Sequence, residues 1–488
     1  MVGLLIALTC SDRHHPFTTP AVLEEAEVPW GCEGLRVTEH RPIDAGLVAR
    51  DAQALLYDDS VRRSDRQWLL EGAGRALASD GDTIWVATHR GVELLAPNAH
   101  RRWATGGSPV AITADRGLAW VADHDGRVLT FDANGLRDEH LVDGWPRSVA
   151  TLGDGAVVGR THLPPLGIGV EVPSWVGTTP WLAGDDEGLW AVQDDALLLD
   201  GELVTPLAGR LVSLTVDAGQ PLVHLADGSM VRWEDGELHT LRSGPDGLMD
   251  LAEGPVALAA NGSLHGGEPA LTVPDARAIL RHRDELLVAT GSGILRLDAP
   301  AVPWALEGVS VQALAASGDL LYAWAPDLGV VEVDPDDGGI ARLYPPDPRR
   351  VVCALSTYDG QPALTFLALP GVARGGSPWR TTSLAGLARS GQACATVRDL
   401  HDDLYVPLPG YGLERLSDAR RWRFHPGGWD VARLGDRLIV ARGTAGVISL
   451  DDDEQLPCSL PGTIEKLVAH DHHLVAMGRS ALTTLARD

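Results

Sequence analysis

The chain has 488 residues, 44% of them hydrophobic, and a formal net charge of −27 at pH 7. This length suits two or three ordinary domains, and no uninterrupted apolar run approaches the ~18 residues that a membrane-spanning helix needs. The negative charge would repel nucleic-acid backbones and anionic lipids, so we expect neither as a main partner. Lys466 is the only lysine and follows Glu465, so the sequence lacks the Gly-Lys pair of a phosphate-binding loop.

The N-terminus resembles the end of a bacterial lipoprotein signal. Residues Val2–Leu8 are apolar, Thr9 is small, and Cys10 is followed by Ser11 and Asp12. In such signals the cysteine becomes the lipidated first residue. The resemblance implies a signal over residues 1–10, lipidation at Cys10, and a location in the cell envelope, lipid-anchored or periplasmic. A cytoplasmic chain with an apolar start is the alternative, because no basic segment precedes the apolar run.

Four further cysteines follow, at Cys32, Cys353, Cys394 and Cys458. None forms a CxxC pair, so their spacing gives no zinc or redox signature. Cys353 and Cys394 occupy the same place in neighbouring repeats, and an exported protein would permit a disulfide between them. Two buried free thiols are the equally weighted alternative.

The segment before the repeats has mixed character, and residues 11–63 are assigned to a linker or N-terminal extension. Asp44 could cap a short helix in this segment. The sequence RQWLL at Arg66–Leu70 predicts a strand. A ring of repeats closes best when a strand from its far end completes the last unit, and RQWLL is the candidate for that role.

A strand–turn–strand pattern then organises the chain, beginning with GDTIWVATHRGVELL at Gly81–Leu95 and recurring at 116–131, 284–297 and 436–450. Asp-Gly and Gly-Asp at the turns supply the positive φ that short hairpins need. Twelve units can be anchored on an early apolar residue of the best strand, at Ile84, Leu118, Ala156, Leu189, Leu222, Val256, Leu286, Leu320, Leu364, Leu404, Leu438 and Leu474.

The units recur at intervals averaging about 35 residues, which is the size of a four-stranded β-propeller blade. The predicted fold is therefore an all-β propeller. Twelve blades exceed the usual size of one ring. Asp82, Val86–Thr88 and Gly91 align with equivalent residues at an offset of 202, which favours two six-bladed rings over residues 64–275 and 276–488. A 7+5 division or one large ring remains open.

Fifteen tryptophans are the most unusual aromatic feature. They could form a binding surface for sugars or peptides, but their periodic placement favours side chains that fill the wedges between blades. The periodic ones are assigned to positions in or near fourth strands (Trp103, Trp145, Trp175, Trp304, Trp379, Trp422) or to second strands (Trp85, Trp120, Trp190). Trp30 and Trp181 fall outside the period.

Metal and catalytic signatures are weak. His470–His473 is interpreted as a hairpin turn rather than a metal site. The acidic stretches 123–126, 334–338 and 451–454 lack the glutamate that completes a calcium loop. No GxSxG, HExxH or GxGxxG pattern is present. The sequence thus assigns no catalytic residue, metal ligand or cofactor.

The hairpin strings WVATHRGVELL and LLVATGSGILRLD resemble bacterial propeller-repeat proteins, including the YVTN and LVIVD types and the periplasmic sensor propellers. This resemblance bears on fold more than on function, since propellers host unrelated activities. The favoured hypothesis is a non-enzymatic binding or scaffold protein of the cell envelope with a protein or polysaccharide partner. The alternatives are a hydrolase or lyase with an acidic site at a channel mouth, and a cytosolic protein-interaction platform.

Overall fold

The structure is a computed structural model of the chain. It describes residues 22–23, 31–32, 35–43, 47–50, 54–64, 66–70, 72–177, 181–185, 188–193, 195–217, 220–242, 247–254, 256–266, 271–298, 302–345, 352–366, 371–375, 379–383, 398–400, 403–408, 411–424, 427–451, 454–458, 460–470 and 472–487.

The described residues form thirteen small antiparallel sheets, most of them four-stranded, which we number in chain order. The expectation of an all-β chain built from four-stranded units is confirmed, and one more sheet is present than the twelve units expected. A single turn of 3₁₀ helix, Ser174–Val176, interrupts the strands. No helix in the described part of the chain is both long and apolar enough to cross a membrane.

The strands of the first six sheets are, for sheet 1, Leu47–Arg50, Leu55–Tyr57, Ser60–Arg63 and Arg66–Leu69; for sheet 2, Gly74–Asp80, Thr83–Thr88, Gly91–Ala96 and Ala99–Ala104, with Val22–Leu23 at its edge; for sheet 3, Pro109–Asp115, Leu118–Asp123, Arg127–Asp132 and Gly135–Leu141; for sheet 4, Trp145–Leu152, Gly155–Thr161 and Leu163–Ile168; for sheet 5, Trp181–Asp185, Gly188–Gln193, Ala196–Leu199 and Glu202–Pro206; and for sheet 6, Leu211–Asp217, Gln220–Leu225, Met230–Glu234 and Glu237–Arg242.

The strands of the remaining sheets are, for sheet 7, Leu248–Ala252, Val256–Ala259, Ser263–His265 and Leu271–Thr272; for sheet 8, Ala276–His282, Glu285–Thr290 and Gly293–Arg296; for sheet 9, Ala313–Ser317, Leu320–Ala325, Gly329–Val333 and Ile340–Tyr344; for sheet 10, Val352–Tyr358, Gln361–Phe366, Gly371–Arg374 and Arg380–Ser383; for sheet 11, Arg398–Asp399, Leu404–Leu408, Gly412–Arg415 and Arg421–Arg423; for sheet 12, Asp430–Leu434, Arg437–Ala441, Val447–Asp451 and Glu454–Cys458; and for sheet 13, Lys466–His470, His473–Met477, Ala481–Arg487, Leu35–Pro42 and Gly31–Cys32.

The second strand of sheet 2 shows why these strands read as continuous apolar runs. In Thr83–Thr88, successive side chains point to opposite faces of the sheet. Ile84 and Val86 enter a hydrophobic cluster shared with sheet 1. Trp85 and Ala87 enter a second cluster shared with sheet 3. Both faces of the strand are therefore buried, and simple polar–apolar alternation is lost.

The hydrophobic core is divided among the spaces between neighbouring sheets. Separate clusters fill each space from sheet 1 to sheet 6, and again from sheet 7 to sheet 13. A further cluster joins sheet 13 back to sheet 7, through residues such as Leu251 and Val475. The first strands of consecutive sheets lie side by side within each series, and that of sheet 7 also lies against that of sheet 13.

An N-terminal strand completes the last sheet, as the repeat pattern predicts, but this strand is not RQWLL. Leu35–Pro42 pairs antiparallel with Ala481–Arg487. Arg66–Leu69 instead forms the fourth strand of sheet 1, paired with Ser60–Arg63. The two segments share strand-forming composition, and the choice between them depends on contacts more than 400 residues apart in the chain.

Sheet 1 also replaces the short helix expected near Asp44. Asp44 itself lies outside the described residues, but Leu47–Arg50 and Leu55–Tyr57 are paired strands. Ala49 and Leu56 lie in the core cluster between sheets 1 and 2. Burial against the neighbouring sheet therefore outweighs the weak local helix signal.

The predicted equivalence between Asp82–Gly91 and Asp284–Gly293 is borne out in local geometry. Thr88 Oγ1 donates to the carbonyl of Gly91 at 3.3 Å, and Thr290 Oγ1 donates to that of Gly293 at 2.9 Å. Both glycines have positive φ, +153° and +140°, which side chains other than hydrogen rarely tolerate. The same side-chain-supported turn therefore occurs in sheets 2 and 8.

The structural interpretation of the tryptophans is supported for most of those placed on strands. The side chains that are less than a tenth exposed include Trp85, Trp103, Trp120, Trp190 and Trp422. Trp85 and Trp103 stack with ring centroids 5.8 Å apart. Trp145 differs, because it begins a first strand rather than a fourth and is 59% exposed. Trp30 lies outside the described residues.

Candidate binding site at the junction of four sheets

A buried acidic turn, Asp58–Asp59, joins sheet 1 to sheet 13. The two side chains are only 5% and 2% exposed. The backbone carbonyls of the turn accept hydrogen bonds from Leu70 and Gly74, both at 2.9 Å. These bonds fix the turn against the start of sheet 2, so that both carboxylates point toward the loops that flank sheet 13.

Asp59 is held by three side-chain donors. Ser480 Oγ donates to Asp59 Oδ1 at 2.7 Å and Ser60 Oγ donates to the same oxygen at 3.1 Å. His40 Nε2 lies 3.0 Å from Asp59 Oδ2, and its Nδ1 lies 2.9 Å from Thr483 Oγ1. Burial alone would raise the pKa of Asp59, but the hydrogen bonds from His40 and Ser480 outweigh it and lower the pKa below its usual value.

The pKa of Asp58 is shifted in the opposite direction to that of Asp59. It accepts hydrogen bonds from the backbone N–H of Thr463 and from Thr463 Oγ1 at 3.0 Å. Burial raises the pKa of Asp58 to about 6, and the bonds from Thr463 offset this only in part. The adjacent Asp59 carboxylate adds to the increase. The turn thus holds one carboxylate that is ionised at neutral pH and one that titrates just below it.

Asp58 also lines an open pocket of about 440 Å³ between sheets 1, 2, 12 and 13. The other lining residues are Ala73, Gly74, Arg75, Trp429, Arg442, Gly443, Thr444, Thr463, Glu465 and Arg479. The pocket therefore joins parts of the chain that lie more than 350 residues apart, and three of its side chains are guanidinium groups.

The arginines give this pocket a positive charge in an otherwise acidic protein. Burial lowers the pKa of Arg75, and burial together with the charge of nearby Arg90 lowers that of Arg442. Arg479 pairs with Glu465 at 2.9 Å. A guanidinium stays charged even when its pKa falls, so the pocket keeps concentrated positive charge.

His89 supports the wall of this pocket in its neutral form. Its ring Nδ1 accepts a hydrogen bond from the backbone N–H of Ala73 at 2.9 Å, and the backbone N–H of His89 donates to the Ala73 carbonyl at 3.1 Å. Burial, followed by the charges of Arg90 and Arg75, lowers the pKa of His89 to about 4. The ring is therefore uncharged at neutral pH and positions the segment that carries Arg75.

Trp429 supplies an exposed aromatic surface in the pocket. It precedes sheet 12, and its backbone N–H donates to the Ala441 carbonyl at 2.8 Å. The side chain is 46% exposed. A Cβ on Gly443 would lie 2.8 Å from the indole Nε1, so glycine permits the ring to pack against the turn. The indole stays partly accessible beside Arg442.

A second set of charges lies on the first strands of sheets 7, 11, 12 and 13. Asp430 is fully buried and accepts bonds from Arg398 Nε at 2.8 Å and Nη2 at 2.7 Å. It also accepts the N–H of Leu467 at 3.0 Å. Asp250 forms a close ion pair with Lys466, the single lysine of the chain. These acids are engaged in joining sheets.

The predicted site residues are three cysteines, Cys10, Cys353 and Cys394. Cys10 and Cys394 lie outside the described residues, so lipidation and the Cys353–Cys394 disulfide remain predictions. Cys353 lies in Val352–Tyr358 of sheet 10. His470 and His473 face each other across a hairpin, as the turn interpretation expected. No group of three or more potential metal-ligating side chains occurs in the described part of the chain.

The pocket itself was missed by sequence reasoning. Asp58 and Asp59 look like an ordinary acidic turn, and Arg75, Arg442 and Arg479 are scattered among forty basic residues. The unusual local signal is the Asp-Asp-Ser sequence directly after the apolar Leu55–Tyr57. Such a turn next to a short strand could have been marked as a place where buried side-chain hydrogen bonds form.

No family model matches the chain, and no curated protein matches it. Among solved structures, the chain is similar to two structures of the extracellular domain of BT4673 from B. thetaiotaomicron. Their sequence identities to this chain are 12% and 11%, and the TM-scores are 0.37 and 0.34. The matched regions cover 88% and 93% of this chain and 73% and 82% of the respective BT4673 chains.

A third similar structure is PorZ, a surface component of the type-IX secretion system of Porphyromonas gingivalis. It shows 12% identity and a TM-score of 0.30, and the match covers 83% of this chain and 78% of PorZ.

Proposed function

We propose that this chain is a non-enzymatic binding or scaffold protein of the cell envelope, which presents loop faces of a β-propeller to a protein or polysaccharide partner. The observation that carries the proposal is the open, arginine-lined pocket formed by loops of sheets 1, 2, 12 and 13. Loops of several sheets converge there on a solvent-accessible concavity, which is the usual form of a ligand site.

A propeller arrangement is supported by the order of packing. Hydrophobic clusters connect each of sheets 7 to 13 to the next, and one more cluster connects sheet 13 to sheet 7. This is the packing expected for a ring of seven blades. Asp250 of sheet 7 strengthens this closure, because it pairs with Lys466 of sheet 13 and accepts the N–H of Ile279 of sheet 8 at 2.9 Å. Sheets 1 to 6 form the other series.

This packing favours a boundary between the two series within residues 243–247, rather than near residue 275. The division becomes six units followed by seven, with Leu35–Pro42 completing the last unit. Each series would be a propeller domain, and the binding pocket would lie between them. Limited proteolysis should then cut first between sheets 6 and 7.

The acids on the first strands of sheets 7 and 12 favour binding over catalysis. A catalytic carboxylate in a channel would be expected to lack a fixed cationic partner. Asp430 is instead held by Arg398 and by backbone N–H groups, and Asp250 is held by Lys466. Both therefore act in joining neighbouring sheets.

A hydrolase or lyase is the second candidate, and one observation favours it. Asp58 lines the pocket with a pKa raised to about 6, which is the state a general acid needs near neutral pH. Both of its oxygens, however, accept hydrogen bonds from Thr463. We assign Asp58 to the structure of the pocket, and turnover of a bound polysaccharide that disappears in Asp58→Asn would reverse this assignment.

The envelope location rests on the lipoprotein resemblance at Cys10. We expect intact mass, after expression in a bacterium that processes lipoproteins, to show a diacyl or triacyl adduct that is lost in Cys10→Ala. An unprocessed chain in the soluble fraction would instead favour the cytosolic interaction platform.

The binding activity is tested separately, with the purified full chain and a panel of envelope polysaccharides. Saturable binding of one polysaccharide without release of shortened products would support a binding protein. Depolymerisation of the bound polysaccharide would support the enzyme, and absence of binding to the whole panel would overturn the polysaccharide arm of the proposal.

A further inference from the structure

We propose that the pocket between sheets 1, 2, 12 and 13 binds one carboxylate-bearing sugar ring, as in a uronic-acid unit of an acidic polysaccharide, with the carboxylate on Arg75 and Arg442 and the ring against Trp429. This inference rests on the proposed binding function and specifies its ligand. Three features of the pocket support it, namely its charge, the arrangement of its hydrogen-bond donors and the composition of its wall.

The charge of the lining favours a single negative charge on the ligand. Three cations, Arg75, Arg442 and Arg479, and two carboxylates, Asp58 and Glu465, line the pocket. Asp58 is hydrogen-bonded to Thr463, and Glu465 pairs with Arg479 at 2.9 Å. When all five groups are ionised, the three arginines outnumber the two carboxylates by one charge. This net positive charge suits a monoanion better than a phosphate dianion.

Arg75 is available to a ligand. Protein surrounds part of its side chain, but Arg75 remains solvent-accessible, and among the described residues none forms a hydrogen bond or ion pair with it. Asp58 acts on it only at longer range, through its charge. The planar guanidinium can donate two parallel hydrogen bonds to a carboxylate, a geometry that lysine does not offer.

The rest of the wall suits a polyhydroxylated ring. Thr444, Thr463, Asp58 and Glu465 offer hydroxyl and carboxylate groups, and Trp429 offers a flat face that is 46% exposed. Ala73 is the remaining apolar side chain of the lining. A sugar ring combines polar edges with an apolar face that can stack on an aromatic ring, and this wall offers partners for both.

The test is isothermal titration of the full-length protein with trigalacturonate, and with a neutral trisaccharide of the same length. We expect trigalacturonate to bind at least tenfold more tightly, with an affinity that falls as salt rises. Arg75→Gln should weaken binding of trigalacturonate at least tenfold. Trp429→Ala should weaken both saccharides.

Arg283→Gln is the matched control, because Arg283 is an exposed arginine that pairs with Asp319 and Asp336 away from the pocket. It removes the same charge and should leave binding unchanged. Thermal melting of each variant shows whether the fold is kept. Arg75→Gln is expected to have the same melting temperature as the parent, because Arg75 supports no other described side chain.

Equal affinity for the neutral trisaccharide, or equal weakening by Arg75→Gln and Arg283→Gln, would overturn the inference. Binding of a poly-glutamate peptide with the same Arg75 dependence, without binding of trigalacturonate, would replace the sugar by an acidic peptide and so overturn it too. The two proposals are distinguishable: if an envelope polysaccharide binds the parent and Arg75→Gln equally, the binding role stands and only the assignment of the ligand to this pocket fails.

Discussion

Asp58 accepts hydrogen bonds from the backbone N–H and the hydroxyl of Thr463, a residue 405 positions further along the chain. This pair joins the turn of sheet 1 to the segment that begins sheet 13. Asp59 makes the neighbouring connection to Ser480, 421 positions away. The two adjacent carboxylates thus fix the first sheet against the last and shape one wall of the pocket.

Asp58→Asn should change how stability depends on pH. The pKa of Asp58 is about 6 in the folded protein, against 3.8 without the fold. Because the folded pKa is raised, this group contributes stability that is fully present below about 3.8 and is lost as pH rises through 6. At about 1.4 kcal/mol per pKa unit, the loss is roughly 3 kcal/mol.

The asparagine variant lacks this loss, because its amide stays neutral while its oxygen can still accept from Thr463. Urea unfolding at pH 4.5 and pH 7.5 should therefore show the variant gaining stability relative to the parent as pH rises. Asp154→Asn, at a side chain that is 93% exposed, serves as the control and should show a constant difference. A constant difference for Asp58→Asn as well would place the Asp58 carboxylate in contact with water.

Gly91→Val should destabilise sheet 2 by several kcal/mol. A Cβ on Gly91 would lie 2.1 Å from the carbonyl oxygen of Trp103, and the backbone φ of +153° is itself unfavourable for a side chain. Differential scanning calorimetry measures the change. Gly293→Val should behave similarly but less severely, since its nearest atom, the Ala305 oxygen, is 2.8 Å away.

The comparison of Gly91→Ala with Gly81→Ala separates collision from backbone preference. Gly81 also has positive φ, +58°, but a Cβ there would meet nothing within 4 Å. We expect the alanine at position 91 to cost clearly more. Equal costs would mean that the third strand of sheet 2 is not as close to its neighbour as the structure has it.

Asp430→Asn should cost about 2–3 kcal/mol of stability. The carboxylate is fully buried and holds Arg398 and two backbone N–H groups. Removing one partner of such a pair leaves a charge without compensation, and the partial exposure of Arg398 reduces the penalty below that of a completely buried pair.

Asp418→Asn is the matched control for Asp430→Asn. Asp418 also pairs with an arginine, Arg415, but at the surface, where water screens the interaction. Chemical unfolding should show little change for this variant. If the two substitutions had the same effect, Asp430 would not be the connection between sheets 12 and 13 that the hydrogen bonds indicate.

Binding of trigalacturonate should strengthen several-fold as pH falls from 7.5 to 5.5. The ionised Asp58 carboxylate repels a bound carboxylate, and its protonation near pH 6 removes that repulsion. Of the other groups around Asp58, Arg75 and Arg479 stay charged in this window. The pKa of His89, about 4, lies below it.

Titration calorimetry at the two pH values measures this effect. Asp58→Asn should bind at both pH values with the affinity that the parent has at the lower one. A pH dependence that persists in Asp58→Asn would assign the effect to another group, such as the ligand itself, and would contradict the proximity of Asp58 to the bound carboxylate.

Much of the fold could be predicted from local patterns. The run TIWVAT followed by a glycine with positive φ specifies a strand and a tight turn wherever it recurs, because both depend on neighbouring residues alone. The sequence therefore predicts that Asp82–Gly91 and Asp284–Gly293 form the same strand and turn. Sheet 1 was missed because its strands are short and lack this signature; Leu55–Tyr57, for example, has only three residues.

The candidate site could not be predicted in the same way. Arg75, Arg442 and Arg479 belong to three different sheets, and nothing near them in the sequence distinguishes them from other surface arginines. The role proposed for them depends on their proximity in the folded chain, and charge in the linear sequence carries no information about which loops meet.

The sequence by itself determined the all-β class, the hairpin repeat and the positions of the turn glycines, because these follow from side-chain periodicity and backbone sterics over a few residues. Only the tertiary structure decided that Leu35–Pro42 completes sheet 13 and that Asp58 meets Thr463. Those pairings are selected by burial and hydrogen bonding between segments hundreds of residues apart. Many strands are locally compatible with the same partner, and the packing of the whole chain chooses among them.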